Sequence, residues 1–489
     1  MPMTERLSGE RRQETDPEQD FQDFMRTGWS PVERPAERLQ QAPFHAERRR
    51  AVSESFPGET LVVPTGQELV RANDTHHRFR AGSDFAWLTG DLAPEGVLVL
   101  HPNATGHDAV LYRRPSKGVE SEEYFASPRY GELWIGRKET LAETSTALGV
   151  ECRDLEELDR VLDGLTRERV RVLRGREPRI DARFALDGPS ERESSDGRLA
   201  WTLAHLRLRK DPWELEQLQE AVDATVRGFE DVARILPATG TVPERLIEGV
   251  FGTRARVEGN GVGYSSTVAA GANATTLHWT ANTGRTAQGD LILMDMGVEG
   301  RNLYTADITR TLPTSGSFTP VQREVYDIVL AAQQAGMEAI KPEVKVRAIR
   351  RACMEVLAEG LQDLGLLPRT TGGVAATDSL RYRRWTLHGF GHMLGIDVHD
   401  CDASWPSLFQ SGAVEEGHVL TVEPGLYFQA NDELVPKELR GIGIRIEDDL
   451  HVTADGCRNL SEALPRTAIE VENWLAAQRE AGPRLPAEH

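Results

Sequence analysis

Short apolar runs bounded by Gly, Pro and Asn mark where ordered structure begins. GETLVVPTG (58–66) and EGVLVLHP (95–102) both read as strands. Strand-like and helix-like stretches then mix to about residue 195, which predicts an α/β unit. The period changes at DPWELEQLQEAVDATVRGFEDVARILP (211–237), where Leu215, Leu218, Val222, Val226, Phe229, Val232 and Leu236 recur at three- and four-residue steps. That is one apolar stripe on a helix, with Pro212 in its first turn and Pro237 at its end. A second helix is predicted over TPVQREVYDIVLAAQQAGMEAI (319–340), with Thr319 as N-cap and Pro320 at the first helical position. DLILMDMGV (290–298), HVLTVEPGLY (418–427) and GIGIRIEDDLHVT (441–453) read as strands, the last one continuous, with Arg445 and Glu447 on one face. The expected layout is a polar, flexible extension over 1–45, a first domain over 46–195, a second over 196–475 and a tail over 476–489. GPSERESSDG (188–197) reads as linker, and no internal sequence repeat is apparent.

Composition narrows the partners more than the fold. The 489 residues are 39% hydrophobic and 27% charged, ordinary for a globular chain, and carry a formal net charge of −20. Such an acidic balance argues against nucleic-acid binding through a basic surface. Cys152, Cys353, Cys401 and Cys457 are scattered without metal-type spacing, which fits a reducing compartment and leads us to expect a cytoplasmic protein. MPMTERLSGERRQETDPEQD has no apolar core of a secretory signal. No apolar run reaches the roughly 18–20 residues needed to cross a bilayer, so no membrane partner is expected.

The chemistry lies in carboxylates that interrupt apolar strands. Asp295 breaks the run DLILMDMGV, Glu423 follows the β-branched run of HVLTVEPGLY, Glu447 sits in GIGIRIEDDLHVT, and Asp307 lies in YTADITRT. An ionised carboxylate in an apolar interior protonates or finds a cation. Any one of these acids alone reads best as a strand end turned to solvent. Four together, with a glycine-flanked histidine among them, point to a metal pair, because four carboxylates balance two divalent ions. HGFGHMLGIDVHD (388–400) supplies the histidines. His388 and His392, four apart, look like a zinc pair on a helix. Gly389 and Gly391 each disfavour a helix by roughly 1 kcal/mol, and no Glu follows His388 to make the zincin pattern. An extended segment still puts both histidines on one face.

These strings resemble the pita-bread metallopeptidases, and within them the Xaa-Pro aminopeptidases (aminopeptidase P). The order Asp295, Asp307, His392, Glu423, Glu447 is similar to the family's dinuclear ligand set. MDMGVEGRNLYTADITRT, HGFGHMLGIDVHD, TVEPGLY, RGIGIRIEDD and YSSTVAAGANATTLHWTAN (264–282) carry the likeness over nearly all of the second domain. It reaches more weakly into the first, at RANDTHHRFRAGSDFAWLTG (71–90). Eleven residues separate Asp295 from Asp307 where the family usually has ten, with the extra residue in EGRNLY, which looks like a hairpin turn.

The resemblance implies an α/β (α+β) chain, with a creatinase-like α/β N-terminal domain ahead of a pita-bread catalytic domain. It implies two divalent ions per chain, best matched by Mn²⁺, with Asp295 on one ion, Asp307 and Glu447 bridging, and His392 and Glu423 on the other. The ions would polarise the scissile carbonyl and provide hydroxide for attack near neutral pH. Glu423 would pass the water's proton to the leaving imino nitrogen. His278, His388 and His399 match the family's non-ligand histidines, Arg445 a catalytic helper, and Tyr264 and Tyr427 groups that orient ligands or substrate. Peptides with proline in second position are the implied substrates, and a homodimer or homotetramer the implied assembly. His418, His451 and Cys401 match no such role. A prolidase acting on Xaa-Pro dipeptides shares both domains and remains the near alternative. A methionine aminopeptidase is disfavoured by the long first domain, and a non-catalytic binding protein or a metal-free creatinase-like hydrolase by the full ligand set.

Overall fold

The computed structural model describes residues 17–30, 36–237, 239–369, 377 and 379–486. Residues 1–16 and 31–35 of the expected extension, and 487–489 of the expected tail, lie outside the described residues. Two compact units emerge, Met1–Ala185 and Leu186–His489.

The first unit is built on a mixed sheet of β1 (Thr60–Pro64), β2 (Val97–Pro102), β3 (His107–Arg113), β4 (Glu151–Asp154) and β5 (Val170–Val172), in the order β4-β3-β2-β1-β5. β1, β2 and β3 pair antiparallel, while the outer strands β4 and β5 run parallel to their neighbours. Val62, Val99, Val110, Tyr112 and Val172 form a core with Leu158, Leu162, Ile180 and Phe184 from the helical connections. Part of the expected flexible extension is ordered. Pro17–Met25 is a helix, with the Phe21 ring edge-on to Phe125 at 6.2 Å and Trp29 edge-on to Tyr124 at 5.3 Å. Aromatic anchors hold this stretch against the unit despite its polar composition.

The second unit repeats one arrangement twice: a helix pair, then antiparallel strands. The pair Pro212–Ile235 and Glu244–Glu258 precedes β6 (Thr267–Ala270), β7 (Leu291–Met296) and β8 (Ile308–Pro313). The pair Pro320–Glu338 and Val346–Asp363 precedes β9 (Val419–Val422), β10 (Gly425–Tyr427), β11 (Gly443–Arg445), β12 (Asp448–Val452) and β13 (Cys457–Asn459). Both long helices begin at capping boxes, Asp211 with Glu214 and Thr319 with Gln322, which satisfy the first free N–H groups. The expected stripe on 212–235 is buried at Leu218, Val222, Phe229 and Val232, whereas Leu215 is only half-buried. Thr225 widens that face: its hydroxyl accepts from the Val298 N–H at 2.9 Å and ties the helix to the turn between β7 and β8. In that segment Leu303 adopts a left-handed conformation (φ 72°).

Three expectations change here. The last three residues of the linker string are helical, since Ser194 caps Ser195–Arg207 by accepting from the Gly197 N–H. The expected tail is tied down as far as Arg484, which pairs with Asp231 at 2.6 Å and Glu230 at 2.7 Å. The segment 441–453 is two strands rather than one. β9 and β12 pair with Val422 opposite Asp448, and β10 and β11 pair with Gly425 opposite Arg445. The shared register places Glu423 opposite Glu447 and Pro424 opposite Ile446. Pro424 has no N–H to give, so that position keeps a single bond, from the Ile446 N–H to Pro424 O at 3.4 Å, and the ladder loosens beside the two glutamates.

The histidine string runs extended beside β9. Thr421 N–H donates to His392 O, Glu423 N–H to Phe390 O, and Leu394 N–H to Val419 O. Gly391 permits this approach, because a Cβ there would lie 2.0 Å from Thr421 O, whereas one at Gly389 meets nothing nearer than 3.9 Å. Gly391→Ala is therefore expected to destabilise the chain by about 1–3 kcal/mol. Gly389→Ala should stay within about 0.5 kcal/mol of the parent. Urea denaturation of both variants checks the contrast, and equal midpoints would contradict the packing argument.

Candidate active site and metal centre

The loosened ladder and the histidine string face a cavity of about 650 Å³. Tyr264, His278, Asp295, Asp307, His388, His392, His399, Glu423, Arg445 and Glu447 all line it. Of the residues singled out from sequence only Tyr427 is set back from the wall, where its hydroxyl bonds both His388 and Arg445. β7 and β8 deliver the aspartates, Asp295 opposite Thr309 within the ladder and Asp307 just before β8.

Asp307, His392 and Glu447 offer ligand atoms that all lie within 4.8 Å of one another. His392 Nε2 sits 3.3 Å from Asp307 Oδ2 and 3.9 Å from Glu423 Oε1. Its Nδ1 lies 3.1 Å from Met393 O and donates there, so Nε2 is the nitrogen turned into the cavity. Asp295 stands apart from this trio. Its Oδ2 accepts from Arg445 Nη2 at 2.6 Å, and its buried Oδ1 has no hydrogen-bond partner among the described residues.

A second chain of bonds fixes the remaining orientations. Arg445 Nη1 donates to Tyr427 Oη at 3.0 Å, and a guanidinium can only donate. The Tyr427 proton therefore points to His388 Nε2 at 2.8 Å. That leaves the His388 Nδ1 proton facing Glu423 Oε2 at 3.4 Å. Thr309 Oγ1 accepts from Arg445 Nε at 3.1 Å and donates to Glu447 Oε2 at 2.7 Å, joining the two chains. Tyr264 Oη donates to Asp307 Oδ1 at 2.5 Å.

Crowded acids set the electrostatics. Burial, then the charge of Asp307, pushes the Glu447 carboxyl well above its ordinary range. Asp295 is raised by burial against the pull of Arg445, and Glu423 rises to about 7 by burial against His392 and Arg445. Burial alone would lower His392, but the hydrogen bond and charge of Asp307 overcome it and lift the imidazole to about 9. Burial and then Arg445 hold His388 down at about 3, and burial and then His392 lower His399. An imidazolium at His392 thus does what a cation would do in this cavity.

Some supporting residues were not singled out from sequence. Thr309, which bonds both Arg445 and Glu447, is one. Asp449, fully buried, accepts from the Asp307 N–H at 3.1 Å, and its carboxyl is pushed well above its range by burial and then by Asp307. The second aspartate of the quoted RGIGIRIEDD was the available signal. Cys401 is buried beside Asp400, its thiol pushed well up by burial and then by that charge. His418 is buried and accepts from the Glu415 N–H, away from the cavity.

The catalytic unit matches the model of metallopeptidase family M24 over residues 216–454, and the first unit that of the aminopeptidase P N-terminal domain over 45–173. Xaa-Pro aminopeptidase 1 of Streptomyces coelicolor is 49% identical over 93% of this chain and 91% of its own length. Xaa-Pro aminopeptidase 2 of the same organism is 48% identical over 93% and 95%. Among solved structures, Escherichia coli aminopeptidase P with the inhibitor Pro-Leu superposes with a TM-score of 0.77 at 29% identity, over 90% of this chain and all of that one. The fold is therefore the mixed α/β one expected, an aminopeptidase P-type domain followed by a pita-bread domain. The chain belongs to metallopeptidase family M24, among the Xaa-Pro aminopeptidases.

Proposed function

We propose that this chain releases the N-terminal residue from peptides with proline in second position, with two divalent ions, Mn²⁺ in the cell, as cofactor. The convergence of Asp295, Asp307, His392, Glu423 and Glu447 on one cavity carries the reading. The relatives' name, Xaa-Pro aminopeptidase, supports the substrate class. The donor set suits such ions, since four carboxylates and one imidazole are oxygen-rich and lack thiolate. The unpartnered Asp295 Oδ1 and three carboxyls raised by burial describe a cavity short of positive charge.

When bound, the ions supply Lewis acidity at the scissile carbonyl and an acidified water. The chain's own residues do the rest. Glu423 takes the proton of the attacking water and delivers it to the imino nitrogen of the departing proline. His388, held neutral and aimed by Tyr427, hydrogen-bonds the reacting peptide, with His278 and His399 on the same wall. Arg445 fixes Asp295 and Tyr427 together. The Xaa-Pro bond is a tertiary amide with no N–H, so the site must grip the substrate elsewhere. Its free amino terminus suits a cavity rich in carboxylates.

The rest of the reading follows the same family. Assembly as a homodimer or homotetramer is supported by exposed Leu133, Trp134 and Ile135 on the first unit. A cytoplasmic setting is supported by four free cysteines. Among the described residues no helix is long and apolar enough to cross a membrane.

Two experiments test this. Reconstituted with Mn²⁺, the protein should cleave Xaa-Pro-Yaa peptides and leave matched peptides without proline intact. Turnover confined to the Xaa-Pro dipeptide would make it a prolidase instead. Separately, His392→Ala should lower bound metal and abolish turnover. His388→Ala should keep the metal while cutting kcat by about 10- to 100-fold. Metal analysis beside kinetics separates them, and equal metal loss in both variants would refute the assignment.

A further inference from the structure

Glu244, at the start of the Glu244–Glu258 helix, is fully buried and is not a lining residue of the cavity. Both its oxygens are spent on one loop. Oε1 accepts from the Ala270 N–H at 2.8 Å and from Asn273 Nδ2 at 2.8 Å. Oε2 accepts from Trp279 Nε1 at 2.8 Å and from the Gly284 N–H at 2.6 Å. All four partners are neutral N–H donors, so the carboxylate is held by hydrogen bonds rather than by a paired cation. The backbone closes the lock from the other side, with the Glu244 N–H donating to Gly284 O at 3.1 Å. Gly284 must stay glycine there, since a Cβ would lie 2.4 Å from Asn273 Nδ2 and 2.6 Å from Glu244 Oε1.

The loop so gathered, 270–284, carries His278. Its neighbours Leu277 and Trp279 pack on a buried cluster of Ala269, Ala274, Leu293 and Tyr427, while His278 itself is exposed and lines the cavity. No regular strand or long helix spans 276–284, so the position of His278 depends on what ties the loop: Glu244 at its ends and at Trp279, and buried Asn282, which accepts from the Val268 N–H and donates to Ser266 O, both at 3.0 Å. We propose that Glu244 is the positioning residue for His278, setting the imidazole against His388 and His399 by holding Ala270, Asn273, Trp279 and Gly284 at once. This rests on the reading of His278 as a substrate-binding group.

Glu244→Gln tests it with little change in volume. Each oxygen serves two donors, so however the amide turns, its NH₂ faces two N–H groups. Hydrogen exchange over 268–286 in the metal-free protein is expected to speed up at least about tenfold, with other segments unchanged. With a Xaa-Pro-Yaa substrate, kcat/KM should fall by about 10- to 100-fold at normal metal content, the cost of a misplaced group. The double variant Glu244→Gln/His278→Ala should be no slower than His278→Ala alone. Trp279→Phe, which removes one of the four bonds, should show a smaller effect of the same kind and serves if the Gln variant fails to fold. Faster exchange with additive kinetic losses would overturn the link to His278, as would wild-type kinetics in Glu244→Gln beside an impaired His278→Ala. Wild-type turnover in His278→Ala with the loop loosened by Glu244→Gln would overturn the reading of His278, and the proposal with it.

Discussion

Glu423 and Glu447 occupy opposing positions of an antiparallel strand pair, where like charges destabilise the ladder. The second unit is organised around tolerating that arrangement. Pro424 removes one of the bonds beside the glutamates, leaving that from the Ile446 N–H to Pro424 O at 3.4 Å, and β8 adds others. The Glu447 N–H donates to Thr309 O at 3.1 Å, and the Arg445 N–H to Thr311 Oγ1 at 3.2 Å. β8 also follows directly on Asp307, so one strand both braces the loosened ladder and brings a third carboxylate to it. β7, paired to β8, adds Asp295.

Asp295, Asp307, Glu423 and Glu447 meet one permanent cation among the described residues that line the cavity, Arg445, and it is committed to Asp295. Without bound ions the remaining charge is shared between His392, which keeps its proton to about 9, and carboxyls that burial pushes upward. Each of these shifts is set by the same shortage, so they rise and fall together rather than one residue at a time. Divalent ions relieve the shortage at its source. Metal binding and the release of these protons are therefore one linked event in this unit.

What the sequence conveyed about this arrangement depended on how local each feature is. The helices 212–235 and 320–338 were legible to within a few residues, because capping boxes and prolines mark their ends within the helix itself. The acids were legible because they violate the apolar pattern of the strands that hold them. The break in 441–453 was not, since Ile442, Ile444 and Ile446 alternate as in an unbroken strand. What interrupts it is Pro424, some twenty residues earlier. Thr309 and Glu244 were invisible for the same reason: a threonine in a strand and a glutamate in a helix are ordinary until their partners, 138 and up to 40 residues away, are known.

The string HGFGHMLGIDVHD shows how far residue spacing alone can mislead. Two histidines four apart suggest a helical metal pair, yet 390–394 lies extended along β9, and the two meet different acids, His392 Nε2 facing Asp307 and His388 Nδ1 facing Glu423. His388 is turned by Tyr427, on a strand at the far side of the loosened ladder. The two imidazoles therefore differ in their partners, one facing Asp307 and the other a tyrosine fixed by Arg445. Their protonation diverges accordingly, to about 9 and about 3. A pair of equivalent ligands would have been driven the same way. Gly391 is what makes the difference possible, because it lets the backbone press against Thr421 and fixes which histidine reaches Asp307.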